Sequence, residues 1–193
     1  MLENIADYRV ILASNSPRRK ELMSGLDIPF EIKTLPDIEE SYPDTLQKEE
    51  IPLYLAKLKA DAYQTLMQDN TLLITADTIV WLDGMVYGKP KNETEAKYML
   101  QKLSGRTHEV FTGVCLTTRQ KQKSFFAVSK VSFAVLSESE IDYYVKKYKP
   151  FDKAGAYAVQ EWIGYVGVEQ LEGPFYNVMG LPVRLLYKYL KEF

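Results

Sequence analysis

The sequence has very few of the residues that bind metal ions or form disulfides. Cys115 is its only cysteine and His108 its only histidine among 193 residues. One cysteine excludes an internal disulfide, and the two counts together exclude zinc sites built from several cysteines or histidines. A Ser-His-Asp triad would have to use His108, which lies between a Ser-Gly turn and a strand, so we expect it to be structural. We expect Cys115, within an alternating strand pattern, to be a small buried side chain.

Long apolar runs and an excess of one charge are also missing. No stretch approaches the ~20 apolar residues that span a bilayer, and the opening MLENIADYR lacks the pattern of a signal peptide. The formal net charge is -2, from 24 Lys+Arg and 26 Asp+Glu. Such a balance gives no general attraction to nucleic acid or to an anionic membrane. We therefore expect a cytoplasmic protein that binds neither.

Two nucleotide-binding motifs are absent, as are internal repeats and linkers. Without G-x-x-x-x-G-K-[ST] or G-x-G-x-x-G, the chain is neither a P-loop NTPase nor a carrier of the dinucleotide fingerprint. Apolar residues make up 46% and charged residues 26% of the sequence, which is typical of a folded globular protein. Length and composition predict one domain over residues 1–193.

Apolar periodicity predicts alternating strands and helices early in the chain and clustered strands in the middle, hence a mixed α/β sheet. Asp83-Gly84 predicts a two-residue hairpin turn, and Ser137 with Glu140 a capping box. In the helix predicted for 47–68, we expect Ile51, Leu55, Leu58, Ala62 and Leu66 to face the core. The predicted strands are 8–14, 30–34, 71–76, 109–118, 124–136 and 165–171. The predicted helices are 17–25, 47–68, 92–103, 137–148 and 181–190.

The start of the first predicted helix carries unusual charge. Ser16 is a favourable N-cap and Pro17 a favourable first helical residue, yet Arg18, Arg19 and Lys20 follow where carboxylates are preferred. Cations in the first turn make sense if an anion binds there. We therefore expect the free N–H groups, the hydroxyls and the arginines to bind phosphate. The phosphate-binding candidates in this turn are Ser14, Ser16 and Arg19. The alternative is that the arginines point to solvent and pair with a carboxylate such as Glu21.

Asp77 and Thr78 follow the strand predicted for 71–76. A carboxylate at the carboxyl end of a parallel strand can bind a divalent cation or accept a proton from water. The alternative is that Asp77 caps the following turn. The loop containing Asp37, Glu39 and Glu40 offers further oxygen ligands for a hard cation such as Mg²⁺, although an acidic loop is more often only solvated.

Four lysines complete the set of candidates. Lys59 lies at the margin of the apolar stripe of its predicted helix and so has access to a cleft, whereas Lys57 projects to the opposite face. Lys89 follows the predicted hairpin. Lys153 precedes small residues that let a backbone approach closely. Each lysine taken singly has a structural or solvent-facing alternative.

Six stretches of the sequence, which contain most of the candidate residues, resemble the Maf family of nucleoside triphosphate pyrophosphatases. They occur in family order over nearly the whole chain. They are LASNSPRRKEL at 12–22, ADTIV at 76–80, GKP at 88–90, LSGRTH at 103–108, DKAGAYAVQ at 152–160 and VMGLP at 178–182.

The resemblance implies a mixed twisted sheet in two lobes around a central cleft, related to the inosine-triphosphatase-like fold. It implies a hydrolase, dependent on Mg²⁺ or Mn²⁺, that cleaves a nucleoside triphosphate between the α and β phosphates to a monophosphate and pyrophosphate. It also suggests a homodimer.

The resemblance assigns roles residue by residue. Asp77 would accept the proton of the attacking water, with Glu40 and Asp77 as metal ligands. The positions associated with choice of base are Arg18, Thr78 and Gln160. The other matching positions that hold metal or phosphate are Ser14, Arg19, Glu40, Lys59, Lys89 and Lys153.

Arg18, Thr78 and Gln160 resemble the branch that acts on dTTP and UTP. The sister branch acting on 7-methyl-GTP has an aromatic residue, Gln and Glu at those positions. Glu161 departs from the glycine common in the branch, which adds bulk and charge beside the expected base pocket. The alternatives left open are action on 7-methyl-GTP, a purine house-cleaning hydrolase of the same fold, and a non-catalytic nucleotide-binding regulator of cell division.

Overall fold

The structure is a computed structural model that describes residues 2–36 and 38–193. Strands and helices alternate early in the chain, and strands cluster in its middle, as predicted. The strands are β1 (Arg9–Leu12), β2 (Glu31–Ile32), β3 (Thr71–Leu82), β4 (Met85–Tyr87), β5 (Thr107–Thr117), β6 (Gln122–Phe133) and β7 (Val168–Glu172). The helices are α1 (Pro17–Ser24), α2 (Glu50–Ala62), α3 (Glu93–Leu103), α4 (Glu138–Tyr148), α5 (Trp162–Gly167), α6 (Phe175–Val178) and α7 (Val183–Glu192).

The strands of the described residues form one mixed sheet in the order β2-β1-β3-β5-β6-β7, with β4 paired to β3. β1 runs parallel to both of its neighbours, and Leu12 lies opposite Ile32 on one side and Ile74 on the other. β4 and β7 are antiparallel to their partners. The mixed sheet confirms the predicted fold class.

The chain divides into two compact units. Unit 1 comprises Met1–Asp77, Thr112–Ala127 and Gly180–Phe193, and unit 2 comprises Thr78–Phe111 and Val128–Met179. Three strands, β3, β5 and β6, continue from one unit into the other. That residues 1–193 form a single domain stays a prediction.

In unit 1, α2 packs closely on the sheet. Gly113 in β5 makes this possible, because a Cβ there would lie 2.4 Å from the carbonyl carbon of Pro52. Cys115 is fully buried, as expected. The core cluster contains Ile11, Ala13, Ala56, Ala60, Tyr63, Met67, Leu73 and Cys115.

The predicted core stripe of α2 is correct at its start and wrong at its end. Ile51 and Leu55 are buried, but Ala62 and Leu66 are exposed, because the buried face continues through Ala60. The helix also begins three residues later than predicted. Lys48 has a φ of 49°, a left-handed conformation that cannot continue an α-helix.

In unit 2, the hairpin turn and the capping box predicted from neighbouring residues are confirmed. Asp83 and Gly84 both have positive φ, 53° and 78°, as a type I′ hairpin turn requires. Ser137 and Glu140 form the predicted capping box at the start of α4, and Asn92 caps α3.

The strand predicted near 165–171 begins at Val168, and the six residues before it form α5. The aromatic and β-branched run suggested a longer strand. Gly164 permits the close packing of this helix on the preceding loop, because a Cβ at this position would lie 1.7 Å from the carbonyl oxygen of Val159.

None of the helices in the described part of the chain is both long and apolar enough to cross a bilayer.

Candidate active site

The start of α1 has the geometry that its sequence predicts. Ser16 is the N-cap, and its Oγ accepts a hydrogen bond from the Arg19 backbone N–H at 3.4 Å, with Pro17 as the first helical residue. Ser14 Oγ accepts from the Ser16 N–H at 3.2 Å. Both hydroxyl oxygens thus help to shape the turn that precedes the helix.

The Arg19 side chain binds backbone carbonyls. Its Nε donates to Gly180 O at 2.8 Å and one terminal nitrogen donates to Ala76 O at 2.9 Å, with Ser14 Oγ at 3.5 Å. Burial lowers the pKa of the guanidinium, and Arg18 lowers it further, while Asp77 opposes the shift. Arg19 therefore anchors the start of α1 to the residue immediately before Asp77.

Asp77 lies inside a strand, which corrects the prediction that it follows one. β3 continues to Leu82, and its last three residues, 80–82, pair with β4. Ligands of α/β sheets bind beyond the carboxyl ends of parallel strands. Here the strand that ends is the neighbouring β1, at Leu12, opposite Ile74. Asp77 therefore lies three residues past the last register pair of β1.

The face of β3 that carries Asp77 is the face on which α2 lies. Side chains two residues apart share a face of a strand, and Thr75 donates from Oγ1 to Ala56 O at 2.7 Å. Lys59 follows Ala56 by almost one helical turn, which carries its side chain towards Asp77. Lys59 Nζ donates to Asp77 Oδ1 at 2.6 Å. Lys57 is exposed, as predicted.

Glu40 joins the same cluster through Lys59, whose Nζ lies 3.1 Å from Glu40 Oε1. The exposed fraction of the side chain is 11% for Asp77 and 43% for Glu40. One ammonium thus bridges a buried and a half-exposed carboxylate. Asp37, the other end of the predicted acidic loop, lies outside the described residues.

The position of the Lys59 ammonium tests whether Glu40 and Asp77 could hold a divalent cation. A cation already sits between the two carboxylates, and hard cations in phosphate-transfer sites take one or two carboxylates together with substrate oxygens. Within residues 2–36 and 38–193, no group of three or more His, Cys, Asp or Glu side chains could hold a metal alone. Glu40 and Asp77 therefore fit a metal whose coordination the substrate completes.

A second lysine cluster lies in unit 2. Lys153 Nζ donates to Asp152 Oδ1 at 2.7 Å and lies 3.4 Å from Glu161 Oε1. The Tyr144 hydroxyl donates to Glu161 Oε2 and accepts a hydrogen bond from the Ala158 N–H at 3.1 Å.

Gln160 precedes Glu161 in this cluster. Its Oε1 is buried and accepts no hydrogen bond from the part of the chain that the structure describes. Unpaired buried acceptors are uncommon in folded proteins, so this oxygen is suited to accept from a ligand donor.

The loops that carry Lys89 and Lys153 meet, because the Gly155 N–H donates to Gly88 O at 3.0 Å. Lys89 itself is exposed. Gly155 has a φ of 69°, and a Cβ there would lie 2.9 Å from Val80 Cγ2. Val80 shares a face of β3 with Thr78, which is half-buried.

The predicted site residues thus form two groups. Unit 1 carries Ser14, Ser16, Arg18, Arg19, Glu40, Lys59 and Asp77. Unit 2 carries Thr78, Lys89, Lys153 and Gln160. Asp77 and Thr78 are consecutive in β3 and point to opposite faces of it.

His108 is structural, as expected. Its Nε2 is hydrogen-bonded to the Tyr157 hydroxyl at 2.7 Å, and its ring packs edge-on against Phe133. Burial lowers the pKa of the imidazole to about 4. Burial also raises the pKa of the Tyr157 hydroxyl.

Sequence reasoning did not identify Tyr144 as part of the unit 2 cluster. A signal was present, because Ile141, Tyr144 and Val145 form the apolar stripe of α4 and are all buried. A tyrosine on a buried stripe needs a hydrogen-bond partner for its hydroxyl. Nothing in the sequence indicated that the partner would be Glu161.

Comparison with known proteins adds a family and several relatives. Residues 9–193 match the family model described as Maf-like protein. A protein of Phocaeicola vulgatus named dTTP/UTP pyrophosphatase is 64% identical over 192 residues, which cover 100% of both chains. Proteins with the same name from Bacteroides thetaiotaomicron and Porphyromonas gingivalis are 62% and 58% identical, covering 100% of this chain and 100% and 98% of theirs.

Among solved structures, a HAM1 protein from Coxiella burnetii has a similar fold. Its TM-score is 0.52 at 16% sequence identity, with 96% of this chain and 100% of that chain covered. At this identity the likeness concerns the fold alone, and it agrees with the predicted inosine-triphosphatase-like architecture.

Proposed function

Because this chain belongs to the Maf-like protein family, we propose that it hydrolyses nucleoside triphosphates between the α and β phosphates. The products are a nucleoside monophosphate and pyrophosphate. The proposed substrates are dTTP and UTP, in keeping with the names of the relatives at 58–64% identity. Modified pyrimidine nucleotides are proposed as further substrates. The observation that carries the proposal is the Asp77–Lys59–Glu40 cluster.

Asp77 is the group proposed to orient and deprotonate the attacking water. Phosphoanhydride hydrolysis needs little covalent chemistry from the protein and depends on positioning and charge. Lys59 is hydrogen-bonded to Oδ1 and holds the carboxylate in one orientation. The Arg19 contact to Ala76 O fixes the backbone that carries it.

The phosphates are proposed to bind to basic groups and hydroxyls. The helix start at Ser16 presents backbone N–H groups and a positive helix end, which favour an anion. The proposed phosphate-binding residues are Ser14, Ser16, Arg19, Lys59, Lys89 and Lys153. Of these, Arg19 also has a structural role, because its guanidinium binds two backbone carbonyls.

Glu40 and Asp77 are the proposed ligands of a divalent cation, Mg²⁺ or Mn²⁺. When bound, such an ion would neutralise phosphate charge and lower the pKa of a coordinated water. The Lys59 ammonium, now shared by the same two carboxylates, would be left to pair with substrate phosphate.

Arg18, Thr78 and Gln160 are proposed to select the base. Thymine and uracil each carry a ring N–H between two carbonyls, and the buried Gln160 Oε1 is an acceptor suited to that donor. A base without a donor at this point would leave the oxygen unpaired, which costs about 1–3 kcal/mol.

We further propose that residues 1–193 act as one domain, that two copies form a homodimer, and that the protein works in the cytoplasm without binding nucleic acid or membrane. The family resemblance supports the dimer. The family match over residues 9–193 supports the single domain.

The test is pyrophosphate release with Mg²⁺ or Mn²⁺ from dTTP, UTP, CTP, GTP and 7-methyl-GTP, for the wild type and Asp77→Asn. We expect turnover of dTTP and UTP, and a loss of at least about 10³-fold in the variant. Asp69→Asn is the matched control, since it makes the same change in the exposed ion pair with Arg119.

Each other outcome contradicts a defined part of the proposal. Turnover of 7-methyl-GTP alone would contradict the roles of Arg18, Thr78 and Gln160. Binding of dTTP without turnover would indicate a regulator instead of an enzyme. Near-normal turnover by Asp77→Asn would exclude Asp77 as the base.

A further inference from the structure

The ammonium of Lys153 is paired with two carboxylates inside its own unit. It donates to Asp152 at 2.7 Å and lies 3.4 Å from Glu161 Oε1. One positive and two negative charges give the three side chains a formal charge of -1. A triphosphate that approaches Lys153 must therefore compete with carboxylates for its protons.

Glu161 is oriented by a buried hydroxyl. Tyr144 is fully buried, and its hydroxyl donates to Glu161 Oε2 while it accepts the Ala158 N–H. Glu161 is the residue before α5, but its side chain does not cap that helix. The carboxylate is thus held between Tyr144 and Lys153 by one oxygen on each side.

The two carboxylates on Lys153 differ in exposure. Asp152 is adjacent to Lys153 in sequence, and its side chain is 56% exposed. Glu161 is 23% exposed and is held by Tyr144. Glu161 also lies farther from the ammonium than Asp152 does, 3.4 Å against 2.7 Å.

We propose that Glu161 is a positioning residue that competes with phosphate for Lys153, and that Tyr144 limits this competition by holding the carboxylate back. The proposal rests on the phosphate-binding role of Lys153 in the proposed function. Glu161 then reduces the affinity for every polyphosphate anion, substrate and product alike. Because of this lower affinity, pyrophosphate is released fast, and substrate binding depends more on contacts to the base.

The proposal predicts effects of opposite sign for two neighbouring variants. Glu161→Gln keeps an acceptor for Tyr144 and removes the competing charge, so pyrophosphate should bind about fivefold more tightly, the scale of a partly exposed ion pair. Tyr144→Phe frees the carboxylate to approach Lys153, so pyrophosphate should bind about two- to fivefold more weakly. A merely structural role would weaken binding in both variants.

The experiment is calorimetric titration of the full chain with inorganic pyrophosphate at constant Mg²⁺. The proteins are the wild type, Glu161→Gln, Tyr144→Phe, Lys153→Met and the double variant that combines Glu161→Gln with Lys153→Met. Asp142→Asn is the control, because it removes the same charge from a lysine ion pair in the same unit, 2.7 Å from Lys97. Thermal unfolding of each variant identifies any loss of fold.

We expect Glu161→Gln to tighten pyrophosphate binding and lower the KM for dTTP in the wild-type background only. In the Lys153→Met background the same change should have no effect. Suppose that Lys153→Met weakens pyrophosphate binding, whereas Glu161→Gln weakens it or leaves it unchanged. The proposal that Glu161 competes with phosphate is then overturned, and the proposed function stands. If Lys153→Met binds pyrophosphate as the wild type does, the phosphate role of Lys153 fails as well.

Discussion

Each of the two units holds one lysine between two carboxylates, but the carboxylates are supported differently. In unit 1, Lys59 lies 2.6 Å from Asp77 and 3.1 Å from Glu40. In unit 2, Lys153 lies 2.7 Å from Asp152 and 3.4 Å from Glu161. The residue types and distances are nearly the same.

The difference lies in what else holds the more buried carboxylate. Asp77, 11% exposed, has Lys59 as its hydrogen-bonding partner, whereas Glu161, 23% exposed, also accepts from Tyr144. In unit 1 the lysine compensates a carboxylate that the proposed reaction needs. In unit 2 the carboxylates restrain a lysine that the proposed substrate needs. The same ion-pair chemistry thus serves two proposed purposes, and the further hydrogen bond from Tyr144 distinguishes them.

The largest effect expected from this comparison is that of Lys59→Met. It leaves Asp77 and Glu40 without their cation, so both the carboxylate geometry and phosphate binding suffer. We expect kcat/KM for dTTP to fall about 100-fold, in the range for truncating one partner of a buried charge pair. Pyrophosphate release gives the measurement.

Two other lysines provide the controls for that experiment. Lys57→Met changes an exposed lysine two residues away on the same helix and should leave kcat/KM within about twofold, since exposed charges contribute little. Lys153→Met should cost less than Lys59→Met, because Tyr144 still donates to Glu161. Equal losses for Lys59→Met and Lys153→Met would remove the distinction between the two clusters.

A second difference between the units is sensitivity to acid, because the only histidine lies in unit 2. The folded-state pKa of His108, about 4, lies below its ordinary value of 6.5. The unfolded chain therefore binds the proton first, and stability that is complete above pH 6.5 is lost as the pH falls towards 4. We expect the wild type to lose about 2 kcal/mol more than His108→Gln between pH 7 and pH 5.

Urea unfolding followed by tryptophan fluorescence measures this loss of stability in the unit that contains His108, since Trp81 and Trp162 both lie in unit 2. Carboxylates that titrate in the same range are common to both proteins and cancel in the difference. Equal losses would mean that the imidazole is protonated normally in the folded state.

The smallest of these effects is expected for Gln160→Glu, which tests base selection in unit 2. A carboxylate in place of the buried amide adds charge beside Glu161 and alters the hydrogen bonding offered to the base. We expect kcat/KM for dTTP and UTP to fall about tenfold. Gln101→Glu makes the same substitution at an exposed position of α3 and serves as the control. Equal kcat/KM for wild type and Gln160→Glu would exclude Gln160 as a selector.

Much of the fold could be predicted because its signals are local. The N-cap at Ser16, the capping box at Ser137 and the hairpin at Asp83-Gly84 each depend on a few neighbouring residues, and all three are confirmed. The errors occur where distant contacts decide. β3 runs through Asp77 within a sheet where it lies between β1 and β5, and the 162–167 segment is helical although its composition favours a strand.

The candidate site shows the same division. Its residue types could be identified from the chain, since cations at a helix start, a carboxylate after apolar strand residues and lysines near small residues are all visible in sequence. The hydrogen-bond and ion-pair partners of these residues could not be identified from the sequence. Arg19 binds carbonyls at positions 76 and 180, and Tyr144 reaches Glu161, because packing brings together residues that are far apart in the chain.

The sequence by itself determined the α/β class, most of the helices and strands, and which residues can supply charge to a phosphate. The tertiary structure alone decided which lysine compensates which carboxylate, that Asp77 lies inside a strand beyond the end of β1, and that Tyr144 restrains Glu161. The physical reason is that helix caps and turns depend on neighbouring residues. The role of an ionisable side chain depends on burial and on partners that only the folded chain brings within hydrogen-bonding distance.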